Sequence, residues 1–167
     1  MHVLGISCHY HDSAAVLLRD GQLVAAVQEE RFSRIKHDAA FPAQAIDYCL
    51  AKAGIGPGDV DYAVFYEKPF LKAERLATSV LAEYPKTFRL FRDGMNHLLK
   101  EKLWVKEYIR RHLGIDPSRI LFVEHHLSHA ASALYTSPFE QAAILTIDGV
   151  GEWTTATMVR KIGRAHV

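Results

Sequence analysis

Cysteine is scarce in this sequence. Cys8 and Cys49 are the only two in 167 residues, too few for a disulfide framework or a cysteine-rich zinc site. No apolar run approaches the roughly 20 residues that a membrane-spanning helix needs. Nor does the chain open with a basic segment followed by a long apolar stretch, so neither a membrane span nor a signal peptide is expected. Charge of one sign is missing too. Twenty basic residues face nineteen acidic ones, a net charge of +1, without the basic excess that nucleic-acid binding requires. A reducing cytoplasm is the expected compartment. What is present is apolar material, 49% of the residues, enough for about one domain core.

Histidine is the one over-represented component, with ten copies. His9, His11, His37, His125, His126 and His129 fall near the ends of predicted strands, whereas His2, His97, His112 and His166 are scattered.

Residues 3–8 read as a strand and residues 13–19 as a second. Asp20-Gly21 then provides the left-handed conformations of a tight hairpin, and residues 22–29 return as a third strand. A polar loop over 31–41 ends at Pro42, which suits the first position of a helix over 42–53. In that helix Ile46, Cys49, Leu50 and Ala53 share one face. A buried strand is expected at 61–67. Helical structure follows over 69–113, broken near Tyr84-Pro85 and Asp93-Gly94, with a basic surface of Arg89, Arg92, Lys100, Lys102, Lys106, Arg110 and Arg111 that reads as a solvated face. A strand at 120–124 runs straight into a helix at 125–135. An apolar strand at 142–148, a turn at 149–152 and a returning strand from Thr154 close the pattern.

Three antiparallel strands followed by alternating helix and strand describe a ribonuclease-H-like α/β layer. The closing pair of strands repeats the opening pair. Leu4-Gly5-Ile6 leads through a polar turn to Asp12-Ser13-Ala14-Ala15-Val16, and Leu145-Thr146-Ile147 leads through Asp148-Gly149-Val150-Gly151 to Thr154-Thr155-Ala156-Thr157-Met158. Such an internal repeat implies a duplicated, actin-like (ASKHA) fold. On this reading residues 1–140 form the first subdomain and 141–160 open the second. Residues 162–167, Ile-Gly-Arg-Ala-His-Val, match one reading frame of a common sequencing adapter. The natural protein is therefore expected to continue beyond about Arg160, with 161–167 a non-native tail.

Three constellations carry chemistry. In Glu124-His125-His126-Leu127-Ser128-His129, His125 and His129 stand at i and i+4 at a helix start, so their imidazoles project from one face at ligand distance. Alone, that spacing often arises by chance on a polar helix face. Here the pair follows a strand, where α/β folds present their ligands, and Asp148 ends the next strand as a third, oxygen donor. Two His and one carboxylate with open positions suit Fe(II) or Zn(II). His126 points off that face and reads as a supporting residue. The second constellation is the turn Asp148-Gly149-Val150-Gly151-Glu152-Trp153-Thr154-Thr155, where Gly149 and Gly151 would let backbone N–H groups approach a phosphate and the Thr154 and Thr155 hydroxyls would add hydrogen bonds. A plain hairpin has the same Gly-x-Gly. The third is His9-Tyr10-His11-Asp12-Ser13, in which His11 would move a proton and Asp12 orient it; polar residues capping two strands read equally well. The loop Glu29-Glu30-Arg31-Phe32-Ser33-Arg34-Ile35-Lys36-His37 mixes charges with two apolar anchors, fitting an anion or domain contact and a surface loop alike.

In these segments the sequence resembles the O-carbamoyltransferases of antibiotic and nodulation-factor biosynthesis, the NodU/CmcH type. The matching stretches run in order: Leu4-Gly5-Ile6-Ser7, Tyr10-His11-Asp12-Ser13-Ala14-Ala15, Glu29 through His37, Phe41-Pro42, His125-His126-Leu127-Ser128-His129-Ala130-Ala131-Ser132-Ala133 and Thr146-Ile147-Asp148-Gly149-Val150-Gly151-Glu152. The resemblance implies an enzyme that uses ATP and carbamoyl phosphate to make carbamoyl adenylate, then passes the carbamoyl group to a hydroxyl of a small-molecule acceptor, a sugar or natural product. It implies that His125, His129 and Asp148 are metal ligands, with a further Asp beyond this chain. It places His11 near the acceptor and carbamoyl group, and Gly149, Gly151 and the threonines at nucleotide phosphates. The C-terminal domain that makes the adenylate lies outside these residues, so the chain alone is expected to be inactive. No nucleic-acid or membrane partner is expected. Two alternatives remain: a tRNA threonylcarbamoyl transferase-like enzyme, disfavoured by the spacing after the doubled histidine, and a non-catalytic actin-like nucleotide-binding module.

Overall fold

A computed structural model describes residues 1–84, 86, 87, 89, 102–149 and 153–162. Strands β1 (His2–Ser7), β2 (Ala14–Arg19) and β3 (Gln22–Gln28) form the expected antiparallel meander. Asp20 and Gly21 take φ of 50° and 78° in the connecting turn, the two left-handed positions that match the twist of a two-residue hairpin. The stretch expected to be an irregular polar loop instead begins with one helical turn, α1 (Glu30–Ser33), closed by Arg34 in the left-handed region at φ 61°. Helix α2 (Ala43–Ala53) follows, and Gly54 at φ 68° ends it as a left-handed C-terminal glycine does.

Strands β4 (Tyr62–Phe65) and β5 (Ile120–Phe122) add to the meander in parallel, giving a five-stranded mixed sheet in the order β3-β2-β1-β4-β5. The fold is thus mixed α/β. The register lines up two rows of side chains: Leu17, Leu4, Ala63 and Ile120 in one, and Ala15, Ile6, Phe65 and Phe122 in the other. Every member is buried except the partly exposed Phe122. Helix α2 contributes Ala45, Ile46, Cys49 and Leu50 to this core, and the later helix α4 contributes Val105, Ile109 and Leu113.

Between β4 and β5 lie α3 (Pro69–Ala82), which starts on a proline as expected, and α4 (Val105–Leu113). The expected helix breaks at Pro85 and at Asp93-Gly94 lie outside the described residues, as do Arg92 and Lys100. On α4, Glu107 pairs with Arg110 and Arg111 at 2.7 and 2.6 Å, so that part of the basic surface is a solvated, paired face. Helix α5 (His125–Thr136) and the antiparallel pair β6 (Gln141–Ile147) and β7 (Ala156–Ile162) complete the chain. The returning strand starts at Ala156, leaving Thr154 and Thr155 in the turn. Among the described residues no helix is long and apolar enough to cross a membrane.

The chain divides into two compact units. One comprises Met1–Tyr66 with Lys100–Phe122 and holds the five-stranded sheet; the other comprises Glu67–Leu99 with Val123–Val167 and holds α3, α5 and the β6-β7 pair.

Candidate metal centre

In the second unit, α5 begins at His125 with Glu124 extended at the N-cap (φ −62°, ψ 139°). The switch from extended to helical backbone places His125 in the first turn and His129 one turn later on the same side. The Ser128 and Ser132 hydroxyls donate to the carbonyls of His125 and His129, both at 2.7 Å.

Asp148 is the residue after β6, and its N–H donates to the Thr155 carbonyl at 2.8 Å across the turn. Its Oδ2 lies 2.7 Å from His125 Nε2. His129 Nε2 lies 3.1 Å from the same His125 nitrogen. One donor atom from each of the three residues falls within 4.8 Å of the others. Two donors each about 2.1 Å from a shared ion stand about 3 Å apart, so these separations suit a common ion. Desolvation holds the His129 imidazole below its ordinary pKa, and the neighbouring His125 adds to this while Asp148 opposes it. A neutral imidazole is the form that ligates a metal.

His126 sits one step round the helix and is buried. Its Nδ1 is 2.7 Å from Thr146 Oγ1 on β6, and Thr146 in turn contacts the hydroxyl of Thr157 on β7. The register sets Thr146 opposite Thr157. His126 therefore ties the ligand-bearing helix to the strand that ends at Asp148. Its place off the ligand face was expected; this hydroxyl partner, 20 residues away, was not legible in the sequence.

Gly149 is exposed, and a Cβ there would meet no atom within 4 Å. Thr154 and Thr155 are exposed in the same turn. Gly151, also expected at the phosphate turn, lies outside the described residues.

The first unit holds the other cluster. Asp12 Oδ2 is 2.9 Å from His11 Nδ1, and Asp12 Oδ1 is 2.9 Å from His37 Nδ1. The hydrogen bond from His37, then that from His11, draws the Asp12 carboxyl below its ordinary pKa against an opposing desolvation. His11 was expected beside Asp12. His37 was named only as the end of the charged loop, and its meeting with Asp12 depends on the fold. Of the two expected apolar anchors of that loop, Phe32 packs against the core and meets the Tyr48 ring at 5.6 Å, whereas Ile35 is 60% exposed.

A mixed α/β chain that brings two helical imidazoles and a strand-end carboxylate close together has a donor set able to hold a metal ion. The family model described as carbamoyltransferase N-terminus matches residues 2–166, and the chain belongs to that family. The resemblance read from its motifs is borne out. It is 53% identical over 164 residues to the uncharacterized protein sll1178 of Synechocystis, covering 94% of this chain and 27% of that protein. It is 44% identical over 153 residues to the nodulation protein NolNO of Sinorhizobium fredii, covering 89% of this chain and 21% of NolNO. A more distant relative is the uncharacterized protein MJ1051 of Methanocaldococcus jannaschii, 28% identical over 151 residues, 90% of this chain and 22% of that protein. The chain thus spans about a quarter of the length of these relatives.

Proposed function

We propose that this chain is the N-terminal part of an enzyme that moves a carbamoyl group from carbamoyl phosphate, through carbamoyl adenylate formed with ATP, to a hydroxyl of a small-molecule acceptor. The observation that carries this reading is the convergence of His125, His129 and Asp148 donor atoms within 4.8 Å in a member of the carbamoyltransferase N-terminus family. The donor set fits Fe(II) or Zn(II), and such an ion, when bound, supplies Lewis-acid polarisation of a carbonyl or phosphoryl oxygen.

The chain's own residues do the rest. Asp12 accepts the His11 Nδ1–H, so His11 Nε2 carries the lone pair that takes the acceptor's proton. As the acceptor oxygen bonds to the carbamoyl carbon, the bond from that carbon to the adenylate oxygen breaks and AMP leaves with its electron pair. Gly149 and Gly151 are assigned to the nucleotide phosphates, with hydroxyls from Thr154 and Thr155. The open space around Gly149 supports a close approach there.

The same reading takes residues 1–140 as a first ribonuclease-H-like subdomain and 141–160 as the opening hairpin of its duplicate, in an actin-like arrangement. The three-stranded meander continued by two parallel strands supports it, as does the hairpin form of β6 and β7. A fourth metal ligand, an Asp, and an adenylate-forming domain belong to downstream sequence, so the 167 residues alone are expected to show no transfer.

The test is metal analysis of the full-length protein. Bound iron or zinc that is lost on His125→Ala and His129→Ala supports the transferase. A full-length protein that takes up neither metal overturns this reading and favours a nucleotide-binding module without catalysis.

A further inference from the structure

The Asp12 cluster has a third member. Asp12 lies in the β1-β2 turn and His37 in the loop after α1, 25 residues on, yet one carboxylate oxygen is held by each of the two histidines. The two loops are stitched together by backbone: His9 N–H donates to the Ala39 carbonyl and Ser13 N–H to the Asp38 carbonyl, both at 2.8 Å. Five non-glycine residues have left-handed backbone among the described residues, and four of them, His9, Asp12, Arg34 and His37, lie in these two loops. Left-handed non-glycine residues cost energy and persist where the surroundings hold them. The His37 backbone is held by its own N–H, which donates to Glu30 Oε2 at 3.2 Å.

This strained framework does not bury the cluster. The His11 and His37 side chains are 59% and 62% exposed. An exposed hydrogen bond adds little to stability, so packing does not account for the arrangement. Its chemical effect is definite. An ionised carboxylate only accepts, so both Nδ1 atoms carry the hydrogen, and in each neutral ring Nε2 is left as the acceptor.

We propose that His37 is a positioning residue for the transfer step: by donating to Asp12 Oδ1 it fixes the carboxylate so that Oδ2 holds His11 as the Nδ1–H tautomer, with Nε2 free to receive the acceptor's proton. The assignment rests on the reading that His11 is that base. His37 touches neither reacting group; it acts through Asp12.

Two substitutions separate the donor from the backbone. His37→Gly removes the side chain and accepts φ 56° without strain. His37→Asn also tolerates that backbone, and its amide N–H stands where Nδ1–H stood. Nitrogen-15 NMR of the histidine side chains in full-length protein reports the His11 tautomer. The wild type and His37→Asn are expected to show the Nδ1–H form, and His37→Gly a shift toward the Nε2–H form. Carbamoyl transfer by His37→Gly is expected to fall roughly tenfold to a hundredfold in kcat, by analogy with the outer partners of metal-ligating histidines, with KM for carbamoyl phosphate unchanged. His11 remaining Nδ1–H in His37→Gly overturns the proposal, and so does an equal shift in both variants. Full transfer activity in His11→Ala would instead sink the assignment of His11 as base, leaving the tautomer result to stand by itself.

Discussion

His126 Nδ1 meets Thr146 Oγ1 at 2.7 Å in the interior of the second unit, and this contact fixes the distance between the helix bearing two candidate ligands and the strand bearing the third. A shift of the helix backbone away from β6 would stretch it. Thr146→Val keeps the shape of the side chain and removes the hydroxyl, leaving buried His126 without that partner. Metal affinity of the full-length protein is expected to fall about 10-fold to 100-fold, as for other supports of ligating residues. Thr146→Ser, which keeps the hydroxyl, is expected to stay near wild type. Metal titration monitored by calorimetry reads both, and equal affinities for wild type and Thr146→Val would remove His126 from the site.

Glu29 presents a different kind of buried polar group. Its carboxylate accepts from the Ala45 N–H at 2.8 Å and from the Gln44 N–H and side-chain amide at 3.3 and 3.1 Å. Helix α2 has Pro42 at its N-cap and no side-chain cap of its own. The end of β3 thus supplies the cap from a distance and places negative charge at the positive end of the helix. Glu29→Ala strands those N–H groups and is expected to cost about 1–3 kcal/mol, read as a lower denaturation midpoint. Glu29→Gln keeps one acceptor oxygen and is expected to lose less.

The parts of this structure that were legible in the sequence are those set by local signals. Asp20-Gly21 announced its turn because two successive left-handed residues have few other uses. Ile46, Cys49 and Leu50 marked the buried face of α2. The meeting of His125, His129 and Asp148 was readable because helical spacing brings two together and a strand end offers the third. Where the reading missed, the cause was short or distant structure. Helix α1 is four residues long, a single turn with no periodicity to detect. The His37–Asp12 and His126–Thr146 contacts span 25 and 20 residues, and only the assembled loops and strands bring them together.

Glu107 gives a pH dependence whose sign is fixed. Hydrogen bonds from Arg110 and then Arg111 lower its pKa from 4.5 to about 2. The folded pKa is depressed, so the stabilisation is complete above about pH 4.5 and is lost as pH falls from there through about 2. A carboxyl NMR titration is expected to show Glu107 still ionised at pH 3. Glu107→Gln should flatten the acid limb of the stability curve in that window and lower stability at pH 7 by the amount that the wild type loses across it, a small amount because the exposed pair is solvent-screened. A Glu107 midpoint near 4.5 would mean that the arginines do not hold it in solution.

Gly5 sits opposite Val16 in the register of β1 and β2, and a Cβ on residue 5 would lie 2.7 Å from Val16 Cγ1. That is closer than two carbon atoms tolerate, and a β-branched neighbour has few rotamers into which to retreat. Gly5→Ala is therefore expected to cost about 1–3 kcal/mol through overpacking. The helpful part of the change, a less flexible unfolded chain, is worth only about 0.4–1 kcal/mol and does not offset it. Val16→Ala removes the offending methyl groups. The double variant is expected to be more stable than the sum of the two single losses, with a coupling of about 0.5–3 kcal/mol in its favour. Denaturation of all four proteins closes the cycle. Strict additivity would show that the strand shifts to admit the methyl group, and that the close approach of β1 to Val16 is not what requires glycine between Leu4 and Ile6.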